Sequence, residues 1–178
     1  MILPPDLKEQ FPLLSQVVNN HQIVYLDSAA SSQKPAAVIE AMNDYYRTIN
    51  ANVHRGAYEI AAQATEAMES ARSRIAKFIG ASSANEVVFT KNATESFNLV
   101  ARSWGGQHLS QGDAVLITDM EHHANIVPWQ ILSAERGFEI RWIPLTVDGH
   151  LGLTELDQLL DGVKMVSLTA MSNVLGTL

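Results

Sequence analysis

From residue 86 onward the apolar residues change their period again and again, and this alternation limits the possible folds more than any other feature of the chain. Short β-prone runs at 86–90, 114–118, 139–145 and 163–170 are interleaved with helical periods at 94–104, 125–136 and 154–160. Parallel strands cannot be joined by a tight hairpin and need a crossover, usually a helix. The rhythm therefore predicts right-handed crossovers and a mainly parallel sheet covered on both faces. The fold class is α/β.

The preceding segments read as helices with one short strand. An amphipathic start covers 6–14, and Ile23-Val24-Tyr25-Leu26 is a β-prone run closed by the small residues of 27–32. Pro35 suits a first helical turn, and Val38, Ile39, Met42, Tyr45 and Tyr46 share one face of a helix over 35–48. A break at 50–58 separates it from a longer helix over 59–79. There Ile60, Ala64, Ala67, Met68, Ala71, Ile75, Phe78 and Ile79 recur at spacings of three and four, and Gly80 supplies a C-terminal cap. No repeat or low-complexity tract interrupts the chain, which reads as continuous folded structure. The sequence stops at Leu178, just after a strand and without a covering helix.

Composition narrows the function. The chain has no cysteine among its 178 residues, which excludes thiolate catalysis, disulfides and Cys-ligated zinc from these residues. Twelve basic against 19 acidic residues give a formal charge of -7, which argues against a nucleic-acid groove or a polybasic membrane anchor. Residues 1–11 hold Pro4, Pro5, Asp6 and Glu9 in place of a basic start and an apolar run, and nothing approaches the roughly 20 apolar residues of a membrane span. A soluble, cytoplasmic protein is expected.

Neither G-x-G-x-x-G nor the Walker pattern occurs, so a phosphate site must lie elsewhere. The turn Thr90-Lys91-Asn92-Ala93-Thr94-Glu95 leads into a helix whose free N–H groups and dipole favour an anion, with the Thr94 hydroxyl as an added donor. An ordinary cap by Asn92 or Thr94 explains the same residues. Glu121-His122-His123-Ala124-Asn125 follows a strand, at the carboxyl edge where parallel sheets bind ligands. Its imidazoles suit stacking or proton transfer, or hold a loop carbonyl; adjacent histidines do not share a face, so no metal site is expected. Ser172-Asn173-Val174-Leu175-Gly176 offers an Asn donor past another strand, or only a turn. Asn52-Val53-His54-Arg55-Gly56 holds an imidazole and a guanidinium, or only solvated loop charges.

Taken in order, Tyr25-Leu26-Asp27-Ser28-Ala29-Ala30, Val53-His54-Arg55-Gly56, Asn92-Ala93-Thr94-Glu95, Glu121-His122-His123-Ala124-Asn125 with Ile126-Val127-Pro128-Trp129, and Ser172-Asn173-Val174-Leu175-Gly176 closely resemble the Suf-type cysteine desulfurases. These are pyridoxal 5'-phosphate (PLP) enzymes of the class V aminotransferase family. The resemblance implies an N-terminal helical segment over 1–22 and, over 23–178, the first part of the mainly parallel large-domain sheet of a fold type I PLP-dependent transferase. It also implies site roles. His122 would stack on the pyridine ring and assist proton transfer, Ala93 and Thr94 would hold the phosphate, and Asn173 would reach the ring's phenolic oxygen. Ala29 and Ala30 would line the substrate side, with His54 and Arg55 near the site or its dimer partner.

Where the family often carries Gly-Thr-Thr-Glu, this chain has Asn92-Ala93-Thr94-Glu95, one hydroxyl fewer. The family's pyridine-pairing Asp, Schiff-base Lys and persulfide-forming Cys belong to segments beyond Leu178, and Lys8, Lys34, Lys77, Lys91 and Lys164 stand in the wrong contexts to substitute. The expectation is the N-terminal portion of a homodimeric enzyme that converts L-cysteine to L-alanine and passes sulfur as a persulfide to an acceptor protein for iron-sulfur cluster assembly. These residues alone are expected to be inactive. Selenocysteine lyase and cysteine-sulfinate desulfinase are the alternatives within the fold, and a non-catalytic remnant or dimerising module is the alternative from another class.

Overall fold

The computed structural model describes residues 4–177 and divides into two compact units, one reaching Val88 and the other starting at Phe89. In the first, two 3-10 turns at Leu7–Gln10 and Pro12–Ser15 take the place of the expected amphipathic start. They lead into a small antiparallel hairpin of β1 (Val17–Val18) and β2 (His21–Gln22). Its two-residue turn puts Asn19 and Asn20 at φ 53° and 63°, the left-handed pair that matches the twist of hairpin strands and that Asn tolerates. The β-prone run 23–26 lies outside both sheets.

Helices α1 (Ala36–Thr48) and α2 (Glu59–Ile79) fall where the periodicity puts them. Gly80 ends α2 at φ 73°, and its N–H reaches the Ala76 and Lys77 carbonyls. In this conformation a Cβ would be strained. What periodicity did not predict is the size of the covered residues. Ala61, Ala64 and Ala76 are the buried residues of α2, whereas Phe78 is 90% exposed, and α1 buries none.

The strand expected at 86–90 is not formed. Val87 has extended dihedrals (φ -99°, ψ 115°), but the segment joins neither sheet. A ladder needs a neighbouring strand to take the carbonyls; here the Arg72 guanidinium donates to the Val87 carbonyl at 2.7 Å.

The second unit is built on three parallel strands, β3 (Ala114–Thr118), β4 (Glu139–Ile143) and β5 (Val163–Val166), in the order β4-β3-β5. Every residue of the central β3 is buried, which is why it reads as an unbroken apolar run where a half-exposed strand would alternate. Helix α3 (Ala93–Val100) continues through a π turn (Ala101–Gly105) into α4 (Gly106–His108), beyond the predicted end. Helices α5 (Val127–Arg136) and α6 (Leu156–Leu160) complete the unit. Ala101, Leu109, Val115, Ile117, Trp129, Leu132 and Phe138 form its core. Gly105 permits the close approach of the π turn to α5, since a Cβ there would stand 2.8 Å from Leu132 and 3.3 Å from Trp129. At the amino edge of the sheet, Lys164 Nζ pairs with Asp113 at 2.9 Å and, with the Ser110 backbone N–H, holds the Asp113 carboxyl below its ordinary range.

Candidate functional site

At the carboxyl end of β3 the chain turns through Met120 and Glu121 into a 3-10 turn (His123–Asn125) that opens α5. The turn fixes His122. Its Nδ1 accepts the Ala124 backbone N–H at 3.0 Å, and the His122 carbonyl accepts the Asn125 N–H at 2.8 Å. A backbone N–H can only donate, so Nδ1 acts as acceptor and the neutral ring carries its proton on Nε2. His123 stands edge-on to His122, with ring centroids 6.3 Å apart at 89°, and shares no stacking face with it.

Beneath this turn lies a buried polar network. Glu121 Oε1 accepts the Thr118 hydroxyl (2.7 Å) and the Thr169 N–H (2.8 Å), and Oε2 accepts Asn125 Nδ2 (2.7 Å). Asn125 Nδ2 also donates to the Ser167 carbonyl (3.1 Å), while Asn125 Oδ1 accepts from Trp129 Nε1 (2.9 Å) and the Ser167 hydroxyl (2.6 Å). Glu121 is 8% and Asn125 1% exposed, depths at which an unpaired polar group is costly. No buried side-chain polar atom among the described residues lacks a partner.

Helix α3 brings the second group. Asn92 is its cap: Oδ1 accepts the Glu95 N–H at 3.0 Å, and the Glu95 carboxylate returns to the Lys91 N–H at 2.6 Å. Capping by Asn92 leaves Thr94 free for other work. The Thr94 hydroxyl makes no hydrogen bond among the described residues, and the Ala93 and Thr94 N–H groups occupy first-turn positions without intrahelical acceptors. Thr94 and His122 line one pocket of about 280 Å³, together with Asn98, His123, Ala124, Val127 and Pro128. The sequence placed both clusters on one edge, and the structure brings them to one cavity.

Ser172 is buried and closes the turn after β5, its Oγ accepting the Val174 and Leu175 N–H groups at 3.2 and 3.1 Å. Gly176, at φ 72°, returns its N–H to the Ser172 carbonyl at 2.9 Å. Asn173 sits exposed on this turn and is not among the pocket walls. In the first unit, Ala29 and Ala30 lie in a turn drawn together by the Asp27 carbonyl and by the Tyr25 hydroxyl, which reaches the Ser31 carbonyl at 2.5 Å. His54 adopts φ 65°, donates its N–H to Thr65 Oγ1 at 2.9 Å and sets Nε2 3.2 Å from Glu69 Oε1. Arg55 is exposed.

Roles for Glu121, Asn125 and Trp129 were not assigned from the sequence, although a signal was present. They recur at intervals of four, the spacing that stacks side chains along one helical face, and Thr118 precedes them by three. Of the other pocket walls, Val127 and Pro128 stand in the block 126–129, one of those that carry the resemblance, without an assigned role, and Asn98 lies outside every such block.

Residues 24–178 match the family model described as Aminotransferase class-V. A cysteine desulfurase of Serratia proteamaculans is 52% identical over 172 residues, 96% of this chain and 42% of the relative. One from Yersinia pestis is 51% identical over the same share. Among solved structures, the apo cysteine desulfurase of Thermococcus onnurineus superposes with a TM-score of 0.87 at 38% identity, covering 99% of this chain and 42% of that one. The cysteine desulfurase CsdA of Escherichia coli gives 0.79 at 34%, covering 99% and 43%. The chain thus shares their fold and spans about two fifths of the length of the curated relatives it matches.

Proposed function

Since the chain belongs to the class V aminotransferase family, we propose that it forms part of a PLP-dependent cysteine desulfurase that converts L-cysteine to L-alanine and passes the sulfur on as a persulfide. The observation that carries this reading is the shared pocket of Thr94 and His122, an anion-binding group beside an oriented imidazole. Likeness to the cysteine desulfurases at about half identity supports the substrate class.

The residues present fit the cofactor. A phosphate is suited by the unengaged Thr94 hydroxyl and by the Ala93 and Thr94 N–H groups at the positive end of α3. The His122 imidazole offers a flat face for the ring, and its Nε2 is the atom that holds or moves a proton, because Nδ1 is already engaged by Ala124. Asn173, which lies outside the pocket walls, keeps the ring-oxygen role that the resemblance implies. Ala124, Val127 and Pro128 give the pocket apolar walls. When bound, PLP supplies an electron sink for bonds at the amino acid's α-carbon.

Residues 23–178 would then belong to the large domain of a fold type I enzyme, preceded by the segment 1–22. Ala29, Ala30, His54 and Arg55 keep the substrate-side roles that the resemblance implies. In this reading the enzyme is a cytoplasmic homodimer that delivers sulfur to an acceptor protein for iron-sulfur cluster assembly. Among the described residues, no helix is long and apolar enough to cross a membrane.

The test is to titrate the full-length protein with PLP and assay alanine and sulfide release from L-cysteine, with selenocysteine and cysteine sulfinate in parallel. Saturable binding with cysteine as the preferred substrate is expected. Preference for selenocysteine or the sulfinate would move the assignment to a sister activity, and absence of PLP binding would overturn it.

A further inference from the structure

The network beneath His122 has a single hydrogen-bond direction throughout. Trp129 Nε1 is only a donor, so the atom facing it at 2.9 Å must be the Asn125 carbonyl oxygen. That fixes the Asn125 amide nitrogen toward Glu121 Oε2 and the Ser167 carbonyl, both acceptors. Glu121 Oε1 in turn faces two donors, the Thr118 hydroxyl and the Thr169 N–H. Asn125 cannot flip without setting donor against donor at Trp129 and acceptor against acceptor at Glu121. The contacts join the end of β3, the start of α5 and the segment that follows β5.

We infer that Glu121 and Asn125 form a directional clamp that positions His122, holding the 3-10 turn so that the Ala124 N–H stays on Nδ1 and the ring keeps its proton on Nε2 for work on the cofactor. Its consequence for catalysis rests on the function proposed above. Neither residue lines the pocket, so both act through His122 and are positioning residues. The same clamp ties Thr169, four residues before Asn173, to the turn that holds His122. The two loops offered to the cofactor ring are therefore set by one pair of buried side chains.

The direction of the network also says how it can be broken and repaired. Glu121→Gln turns one acceptor into a donor, and Trp129 prevents Asn125 from flipping to meet it. Asn125→Asp keeps the acceptor for Trp129 but sets a carboxylate against Glu121. Combined, the Gln amide donates to the new Asp, and only the Asn125 contact to the Ser167 carbonyl stays lost. Each single variant should therefore be worse than the pair, a coupling that independent sites do not show.

The experiment uses full-length protein with the side-chain 15N shifts of His122 read without cofactor, alongside PLP affinity and the pH profile of kcat. The wild-type protein should show the Nε2–H form. Glu121→Gln and Asn125→Asp should each mix the tautomers, weaken PLP about tenfold and displace the pH profile, and Glu121→Gln/Asn125→Asp should recover most of each loss. Should Glu121→Gln fail to fold, the isosteric Thr118→Val removes one donor from Oε1 and should give the same changes at smaller size. Variants that lose thermal stability but keep the His122 shifts and pH profile of the wild type would overturn the clamp, as would a wild-type ring with its proton on Nδ1. Because the 15N signal needs no cofactor, a protein that binds no PLP would sink the functional reading and still leave the clamp to be judged.

Discussion

Helix α1 carries an apolar face and strand β3 is an apolar run, yet the structure treats them oppositely. No residue of α1 is buried, and Val38, Met42 and Tyr46 stay exposed. In β3 every residue is covered, by two neighbouring strands at its edges and by the core cluster on Val115 and Ile117. The comparison teaches that an amphipathic period specifies a helix without saying what covers it. A continuous apolar run becomes a covered strand only where neighbouring strands flank it, as they do β3; the similar run at 86–90, with no ladder neighbour, forms none.

The largest expected effect sits where burial and polar direction coincide. Trp129→Ala removes a core side chain and the donor that orients Asn125, and should destabilise the second unit by about 3–5 kcal/mol in chemical denaturation. Tyr46→Ala, an aromatic truncation on the exposed face of α1, should stay within about 0.5 kcal/mol. A comparable loss from Tyr46→Ala would break the contrast.

Gly105→Ala forces a methyl against Leu132 and Trp129 and should cost about 1–3 kcal/mol as overpacking. Gly80→Ala meets no neighbour within 4 Å, so its cost should be the left-handed conformation alone, about 1–2 kcal/mol. Melting both variants sharpens the comparison, since one loss comes from packing and the other from backbone.

The smallest effect is electrostatic. Lys164, first among the causes, lowers the Asp113 pKa in the folded state, so the pair contributes stability above the ordinary carboxylate value of 3.8. That contribution disappears as pH falls through the lowered folded value. Lys164→Gln should therefore melt earlier than the parent at pH 7, with the gap closing in acid and shrinking in high salt. A gap that widens in acid would contradict the assignment.

Much of this was legible in the sequence. The bounds of α2 and β3 follow from apolar spacing and from Gly80, and the His122 and Thr94 clusters were placed on one edge by the rule for parallel sheets. Two of the unread parts, residues 86–90 and Glu121, depend on distant partners. Residues 86–90 have a strand's composition but no ladder neighbour, with Arg72 on the Val87 carbonyl. The hairpin at Val17–Val18 and His21–Gln22 was missed because its signal lies in the Asn19-Asn20 turn and not in its strands. Glu121 looks like any loop carboxylate until Thr118, Asn125 and Thr169 converge on it.

The central claim is that Thr94, left unengaged by the Asn92 cap, holds a cofactor phosphate beside His122. The most direct measurement compares the affinities of full-length wild-type and Thr94→Val protein for PLP and for pyridoxal, which lacks the phosphate. A hydrogen bond to a charged group is worth about 1.5–3 kcal/mol, so PLP affinity should fall at least about tenfold while pyridoxal affinity is unchanged. Equal losses for both ligands, or none for PLP, would contradict the account.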